Sequence, residues 1–418
     1  MTDAGRNPAG DGTPPSATTI VPKISLHAFC ETEECATVIQ QAADDRRMSK
    51  ANVKILMGGA QAAIDAFQSA PTPNLIILET LSDRATLIMQ LDALAEYCDQ
   101  DTKVVVIGPE NDIALYRLLI SRGVSDYIVA PIGAIEFISK IYDLYGTPGG
   151  GALGRVIGVI GARGGVGAST IAHNLAWSIS TSLELHTVVV DLDLAFGTVG
   201  LDFNQDPAQG VADAIFSPDR LDENFIDKLL TKCGKTLSIL AAPVALERTY
   251  DMTEFSVDPT VDILRATAPC VVLDIPHCWT AWARRAILNC DEIIIVVSPD
   301  LTCLRNAKAI ADAMKASRVH DRPPIVLFNF VGIPRRPEIP RAELATAFDV
   351  PEFGAITFDP KLFGNAANNG QMLAEIEPKS ETVATIERLG RTVMGKIVQV
   401  EEKKTFMSNI MASLTKRT

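Results

Sequence analysis

Short apolar runs, each closed by glycine, proline or a charged residue, alternate with stretches of helical period along the chain. The first run is "KISLHAFC" (Lys23 to Cys30), followed by the helical "ETEECATVIQQAADD". Then come "NVKILMG", the helical "AQAAIDAFQSA", "PNLIILET", a helix around Ile88 to Tyr97, "TKVVVIG", a helix around Ile113 to Arg122, and "SDYIVAPI" before a last helix. Strands this uniformly apolar are buried on both faces, so the alternation predicts a parallel sheet with helices on both sides. "GTPGGGALG" (Gly146 to Gly154) holds too much glycine for a regular element and is expected to be a linker. Beyond it the pattern restarts, with strands expected at "RVIGVIGA", "HTVVVDLD", "LSILAAP", "CVVLDIPH", "DEIIIVVSPD" and "PIVLFNF". The expected fold is α/β, with two doubly wound parallel-sheet domains over 23–145 and 155–400. A disordered tail is expected over 1–22, the glycine linker over 146–154 and an amphipathic tail over 401–418.

Composition narrows the class. A chain of 418 residues is too long for one core. With 47% hydrophobic and 21% charged residues it is globular, and no apolar run approaches the roughly 18 to 20 residues of a membrane span. The N-terminus "MTDAGRNPAGDGTPPSATT" lacks an apolar h-region and is expected to be a flexible tail, not a secretion signal. The 8 cysteines show no CxxC pair and no histidine at zinc spacing, as expected of reduced thiols in a cytoplasmic protein. A net charge of −13 and the lack of a basic patch disfavour a nucleic-acid partner.

The candidate chemistry starts at "GRVIGVIGARGGVGASTIAHNLAWSIS" (Gly154 to Ser180), where an apolar strand passes through a glycine loop into an amphipathic helix. Such a loop holds a phosphate because successive backbone N–H groups and a helix N-terminus converge on the anion, and its glycines let the backbone approach closely. Phosphate contacts are expected from Arg163, Gly164, Gly165, Val166, Gly167, Ala168, Ser169 and Thr170, with the Ser169 hydroxyl placed for Mg2+. "VVVDLDLAFGTVG" ends a strand in Asp191 and Asp193, and "CVVLDIPH" ends another in Asp274. Ser169, Asp191 and Asp274 form the expected Mg2+ set, partly through water, and Asp193 is the candidate for activating a water molecule. Asn329, at the end of "VLFNF", is placed to read an adenine edge, and "FDPKLFGNAANNGQML" is expected as a polar loop over the base. All lie at carboxyl ends of parallel strands, where open α/β sheets bind ligands. His173 is expected to pack or cap, and His277, Cys278 and Trp279 to form loop packing, not a metal site.

The first domain resembles response-regulator receivers, with "PNLIILE" at the phosphate-accepting strand and "GVSDYIVAPI" at the end of strand five. Glu79 stands at the acceptor position, Gly108 replaces the switch hydroxyl and Ala130 the phosphate-binding lysine, so a docking or dimerisation module is expected, not a phosphorylated one. Glu31, Glu33 and Glu34 are expected to start a helix as a solvated acidic cluster. The second domain resembles the ParA/MinD family of deviant Walker ATPases, whose loop reads KGGVGK[ST]. Arg163 holds the signature-lysine position, Ala168 replaces the lysine before Ser169, and Ala162 replaces the usual first glycine. The missing lysine would make a charge-assisted hydrogen bond whose loss costs about 1.5–3 kcal/mol, or roughly ten- to a hundredfold in affinity.

The fusion of the two resembles the CpaE/TadZ proteins of the Flp (tight adherence) pilus system. The resemblance implies a cytoplasmic localisation and assembly factor that binds ATP and Mg2+ and works as a nucleotide-dependent homodimer with weak or absent hydrolysis. It implies other pilus assembly components as partners, and a place at the inner membrane face or cell pole. A nucleotide-free scaffold and a MinD/ParA-type positioning ATPase for another cargo are the alternatives. In the tail, Phe406, Ile410, Met411 and Leu414 fall on one helical face flanked by Lys403, Lys404, Lys416 and Arg417. The segment resembles the membrane-targeting helix of MinD-type proteins. Packing on its own domain or a partner is the preferred expectation, weak membrane contact the alternative.

Overall fold

The computed structural model describes residues 20–99, 101–145, 153–243, 246–348, 350 and 352–395. The expected N-terminal tail up to residue 19, the linker over 146–152 and the amphipathic segment 401–418 lie outside the described residues. The described residues form two compact units: those up to 155 with 284–291 and 310–323, and those of 156–283 with 292–309 and from 324 on. Among the described residues no helix is long and apolar enough to cross a membrane.

The first unit is built on five parallel strands: β1 (Ser25–Cys30), β2 (Asn52–Met57), β3 (Leu75–Glu79), β4 (Lys103–Gly108) and β5 (Asp126–Val129), in the order β2-β1-β3-β4-β5. Alternate side chains feed two cores. Leu26, Ala28, Cys30, Ile77, Val105 and Ile107 pack with Ile39 and Phe137 on one face, and Phe29, Ile76, Leu78 and Val106 pack with Phe67, Leu91 and Leu119 on the other. The period of two along each strand divides the apolar runs between these layers. Helix starts follow the capping residues: Thr32 accepts from Cys35 N, Asp83 from Ala85 N and Thr86 N, and Asp112 from Ala114 N. Glu33 and Glu34 occupy the first turn behind Thr32, as expected of an acidic helix start.

At the carboxyl ends of these strands Glu79 is buried and fully engaged. Its Oε2 accepts from Glu31 N and Thr32 N at 2.8 Å each, and its Oε1 from the Thr32 hydroxyl at 2.6 Å. A carboxylate tied by two backbone N–H groups and a hydroxyl braces the β1 loop and has little freedom as a nucleophile. Gly108 leaves room that Tyr127 fills, since a Cβ on Gly108 would come within 2.6 Å of the tyrosine oxygen. The missing switch hydroxyl and the inward tyrosine are therefore one packing arrangement. Acetyl phosphate is expected to leave this unit unlabelled, as read by intact-mass spectrometry of the full chain. A phosphate-dependent mass shift that disappears in Glu79→Ala would contradict this.

The first unit also holds a buried ion cluster. Arg46 contacts Asp321 at 2.7 Å and Asp291 at 3.2 Å, Arg318 contacts Asp321 at 2.8 Å, and Arg47 pairs with both Asp45 and Asp321.

The second unit carries β6 (Arg155–Gly161, entering from the first unit at Arg155), β7 (Thr187–Asp191), β8 (Thr231–Lys232), β9 (Leu237–Leu240), β10 (Cys270–Ile275), β11 (Glu292–Val297), β12 (Ile325–Val331) and β13 (Glu352–Thr357). Their order is β13-β12-β11-β6-β10-β7-β9-β8, parallel except for the antiparallel pair β8/β9. Strands β7, β10 and β11 are buried along their whole length, which is why each reads as a mostly apolar run with no polar alternation. Two strands were not foreseen: β8 spans only two residues, and the half-buried edge strand β13 has no apolar run. The expected polar loop after residue 358 is a helix, Pro360–Asn369, capped by Asp359 and closed by Gly370 in the left-handed region.

Candidate functional site

The loop between β6 and the helix Ala168–Ser182 is held from behind. His277 Nδ1 lies 2.9 Å from the Gly161 carbonyl, Asn306 Nδ2 donates to the Ala162 carbonyl at 2.8 Å, and Asn329 Nδ2 donates to the Val166 carbonyl at 2.9 Å. With its carbonyls turned inward, the loop presents its amides. Among the described residues, no backbone N–H from Gly164 to Thr170 donates to a protein acceptor. Gly165 and Gly167 have φ of +77° and +84°, which only glycine adopts without strain. A Cβ on Gly167 would also come within 2.5 Å of Asn329 Nδ2. Ala168 is the first residue of the helix, and Ser169 and Thr170 follow, all half-buried.

Asn329 was expected to face a base edge. It is 1% exposed, and its amide braces the loop through Nδ2 while its Oδ1 accepts from Phe330 N. Phe330, next to it, has φ of +55°, where the β12/β13 register also shifts. Such an outlier in a side-chain-bearing residue concentrates at functional sites. Arg163 stays exposed and lies 3.6 Å from Asp300, whose Oδ1 caps the following helix through Cys303 N.

The carboxylates gather at the carboxyl ends of β7 and β10. Asp191 and Asp274 are register partners across β7 and β10. Asp191 is buried, and its oxygens accept from Asp193 N and Val199 N at 3.1 Å each. Burial, together with repulsion from Asp274, pushes the Asp191 carboxyl up to about 7. Gly197 is required there, because a Cβ would lie 2.3 Å from Asp191 Oδ2. Asp193 is half-buried and caps Phe196 N at 3.0 Å, which makes it the most solvent-facing of the three.

His173, on the helix Ala168–Ser182, is fully buried beside this pair. Its Nδ1 lies 2.6 Å from Asp202 and its Nε2 lies 3.3 Å from Asp274 Oδ2. The second contact satisfies the distance of an ion pair, yet Nε2 has no hydrogen-bond partner by geometry, so it is a close approach and not a bond. Burial opposes charge on this imidazole, but Asp202 and Asp274 outweigh it and hold the group up to about 10. The expectation that His173 merely packs or caps omitted these carboxylates.

Sequence comparison decides the family. The N-terminal region is similar to the solved pilus assembly protein CpaE from Caulobacter crescentus CB15, at 48% identity over 97% of that chain and 30% of this one, with a TM-score of 0.30. The chain belongs to the CpaE family. The relationship rests on identity over nearly the whole of the solved domain. Residues 155–316 match the family model of cellulose biosynthesis protein BcsQ. Septum site-determining protein MinD of Synechocystis sp. is 25% identical over 252 residues, 58% of this chain and 90% of that protein. The ParA family ATPase from Chlorobium tepidum TLS is 24% identical, covers 57% of this chain and 98% of its own, and has a TM-score of 0.51, which shows the fold. This CpaE-family chain therefore joins a receiver-like domain to a ParA/MinD-type P-loop domain.

Several residues of this site were absent from the sequence reading. Asn306, Asp202 and Asp300 sit in helices or at their starts with no motif around them, and only the fold brings them to the loop or to His173. Asp300 alone left a trace, as the last residue of "DEIIIVVSPD" at a strand's carboxyl end.

Proposed function

We propose that this chain binds ATP with Mg2+ at the 162–170 loop and acts as a dimeric, nucleotide-dependent switch with weak or absent hydrolysis in the assembly of a pilus secretion machine. The observation that carries the proposal is the run of unpaired N–H groups from Gly164 to Thr170, clamped from behind by His277, Asn306 and Asn329. Such a run of free donors at a helix N-terminus suits an anion of phosphate size. The pilus assignment draws on the CpaE name carried by the similar solved domain.

The donors beside the loop fit Mg2+, which takes oxygen ligands and keeps much of its water. Ser169 would offer its hydroxyl, and Asp274 and Asp191 would hold the water shell. Mg2+ supplies charge neutralisation on the phosphates when bound. Asp193, the most solvent-facing carboxylate, would orient a water molecule. Ala168 offers no cation to the phosphates, so transition-state charge is left with less compensation and turnover is expected to be slow. The CpaE-like first unit would supply docking or self-association, its acceptor carboxylate being committed to the β1 loop.

Arg163 would cross to the second protomer. Two nucleotides face to face bring phosphate charges into a partly desolvated interface, which needs cations. Arg163 is the one cation of the 162–170 loop, its ion-pair partner among the described residues is Asp300 at 3.6 Å, and its planar fork suits bidentate phosphate contact. Sedimentation of wild type and Arg163→Ala, each with and without Mg-ATP, is expected to show an ATP-promoted dimer that is weakened at least tenfold in the variant. Equal dimer fractions in all four samples would overturn the switch.

A further inference from the structure

We propose that His173, Asp191 and Asp274 form a binding site for a divalent transition-metal ion, held by the protein without nucleotide. The three residues are 0%, 0% and 3% exposed, and one ligand atom from each lies within 4.8 Å of the others. The proposal shares Asp191 and Asp274 with the Mg2+ set of the proposed function and goes beyond it, because Mg2+ on a phosphate takes oxygen ligands, whereas this cluster adds an imidazole nitrogen that suits zinc and its spectroscopic substitute cobalt.

Three features point to a cation. His173 Nε2 is buried, has no hydrogen-bond partner and is aimed at Asp274. Its distance of 3.3 Å from Asp274 Oδ2 is that of two ligands on one ion, since bonds of about 2.0–2.1 Å at a tetrahedral angle set their donors roughly 3.3–3.4 Å apart. The other ring nitrogen lies 2.6 Å from Asp202, the carboxylate–histidine arrangement that fixes the tautomer of a metal-bound imidazole. Asp191 is fixed in the same way by the N–H groups of Asp193 and Val199.

The test uses the full chain, freed of metal by chelation and then titrated with Co2+ alone. One equivalent is expected to bind and produce the intense visible bands of a four-coordinate ion. Zn2+ is expected to displace it, and a large excess of Mg2+ is not. His173→Gln is expected to lose the bands and at least a hundredfold in Co2+ affinity. Asp202→Asn should keep the bands with affinity lowered ten- to a hundredfold. Circular dichroism checks that each variant is folded. If His173→Gln does not fold, Asp274→Asn takes its place with the same expected loss. No bands in wild type, bands retained in His173→Gln or Asp274→Asn, or equal displacement by Mg2+ would each overturn the site. No nucleotide is present, so these outcomes are independent of ATP binding, which a fluorescent ATP analogue reads separately in the same samples.

Discussion

Gly167→Val is expected to weaken binding of an ATP analogue by roughly thirty- to a thousandfold. At φ of +84° a branched side chain costs about 1–3 kcal/mol in backbone strain. Its Cβ would meet Asn329 Nδ2 at 2.5 Å and break the brace to the Val166 carbonyl, another ~1 kcal/mol. Together these are about 2–4 kcal/mol, roughly one and a half to three decades of affinity. The mechanism is geometric. When the Val166 carbonyl is released the peptide planes rotate, and the amides from Gly164 to Thr170 no longer converge. Fluorescence titration of wild type and variant, both confirmed folded, reads the change. A variant within threefold of wild type would mean that the loop does not bind through these amides.

Asp321→Ala is expected to destabilise the chain by about 3–5 kcal/mol, because it removes the carboxylate shared by Arg46, Arg47 and Arg318 in a buried setting and leaves Asp291 and Asp45 to balance three guanidinium groups. The side chains of Asp321 and the three arginines are at most 7% exposed. The same cluster sets a pH dependence. Burial alone would raise the Asp321 carboxyl, but Arg46 and Arg318 outweigh it and hold it at about 2, below the ordinary 3.8. A depressed carboxylate contributes stability above its unfolded value and loses it as pH falls through the folded one. The stability difference between wild type and Asp321→Asn is therefore expected to shrink between pH about 4 and about 2. Urea unfolding at pH 7 and across that window measures both effects. A loss below about 1 kcal/mol for Asp321→Ala at pH 7 would contradict the cluster's role.

Much of the fold was legible because parallel strands buried on both faces leave mostly apolar runs. Strands β3, β7, β10 and β11 have no exposed position to blur the pattern. The edges were not legible. Strand β13 is half-buried, and a glycine interrupts "EFGAIT". The helix Pro360–Asn369 reads as polar because it buries only Leu362 and Ala366, so its signal lies in the Asp359-Pro360 start and the Gly370 stop.

In the site, the glycines and strand-end carboxylates announce themselves through local spacing. Their supports do not. Asn329 reaches a carbonyl 163 positions away and Asn306 one 144 positions away, and nothing near either residue encodes that pairing. His173 shows the same limit, since a histidine within an apolar helix gives no sign of Asp202, nor of a strand-end Asp274 meeting its ring. The buried arginine–aspartate cluster is likewise invisible, because "DDRRM" reads as a solvated charge run until Asp291 and Asp321 close on it.

Equilibrium titration of wild type and Ala168→Lys with a fluorescent ATP analogue, with and without Mg2+, bears most directly on the loop as a nucleotide site. Wild type is expected to bind only with Mg2+, at measurable affinity, because the backbone amides and Ser169 remain. The variant restores a charge-assisted hydrogen bond of about 1.5–3 kcal/mol and is expected to bind roughly ten- to a hundredfold tighter. No binding by wild type, or a lysine variant that binds no better than wild type, would contradict the placement of this loop against the phosphates.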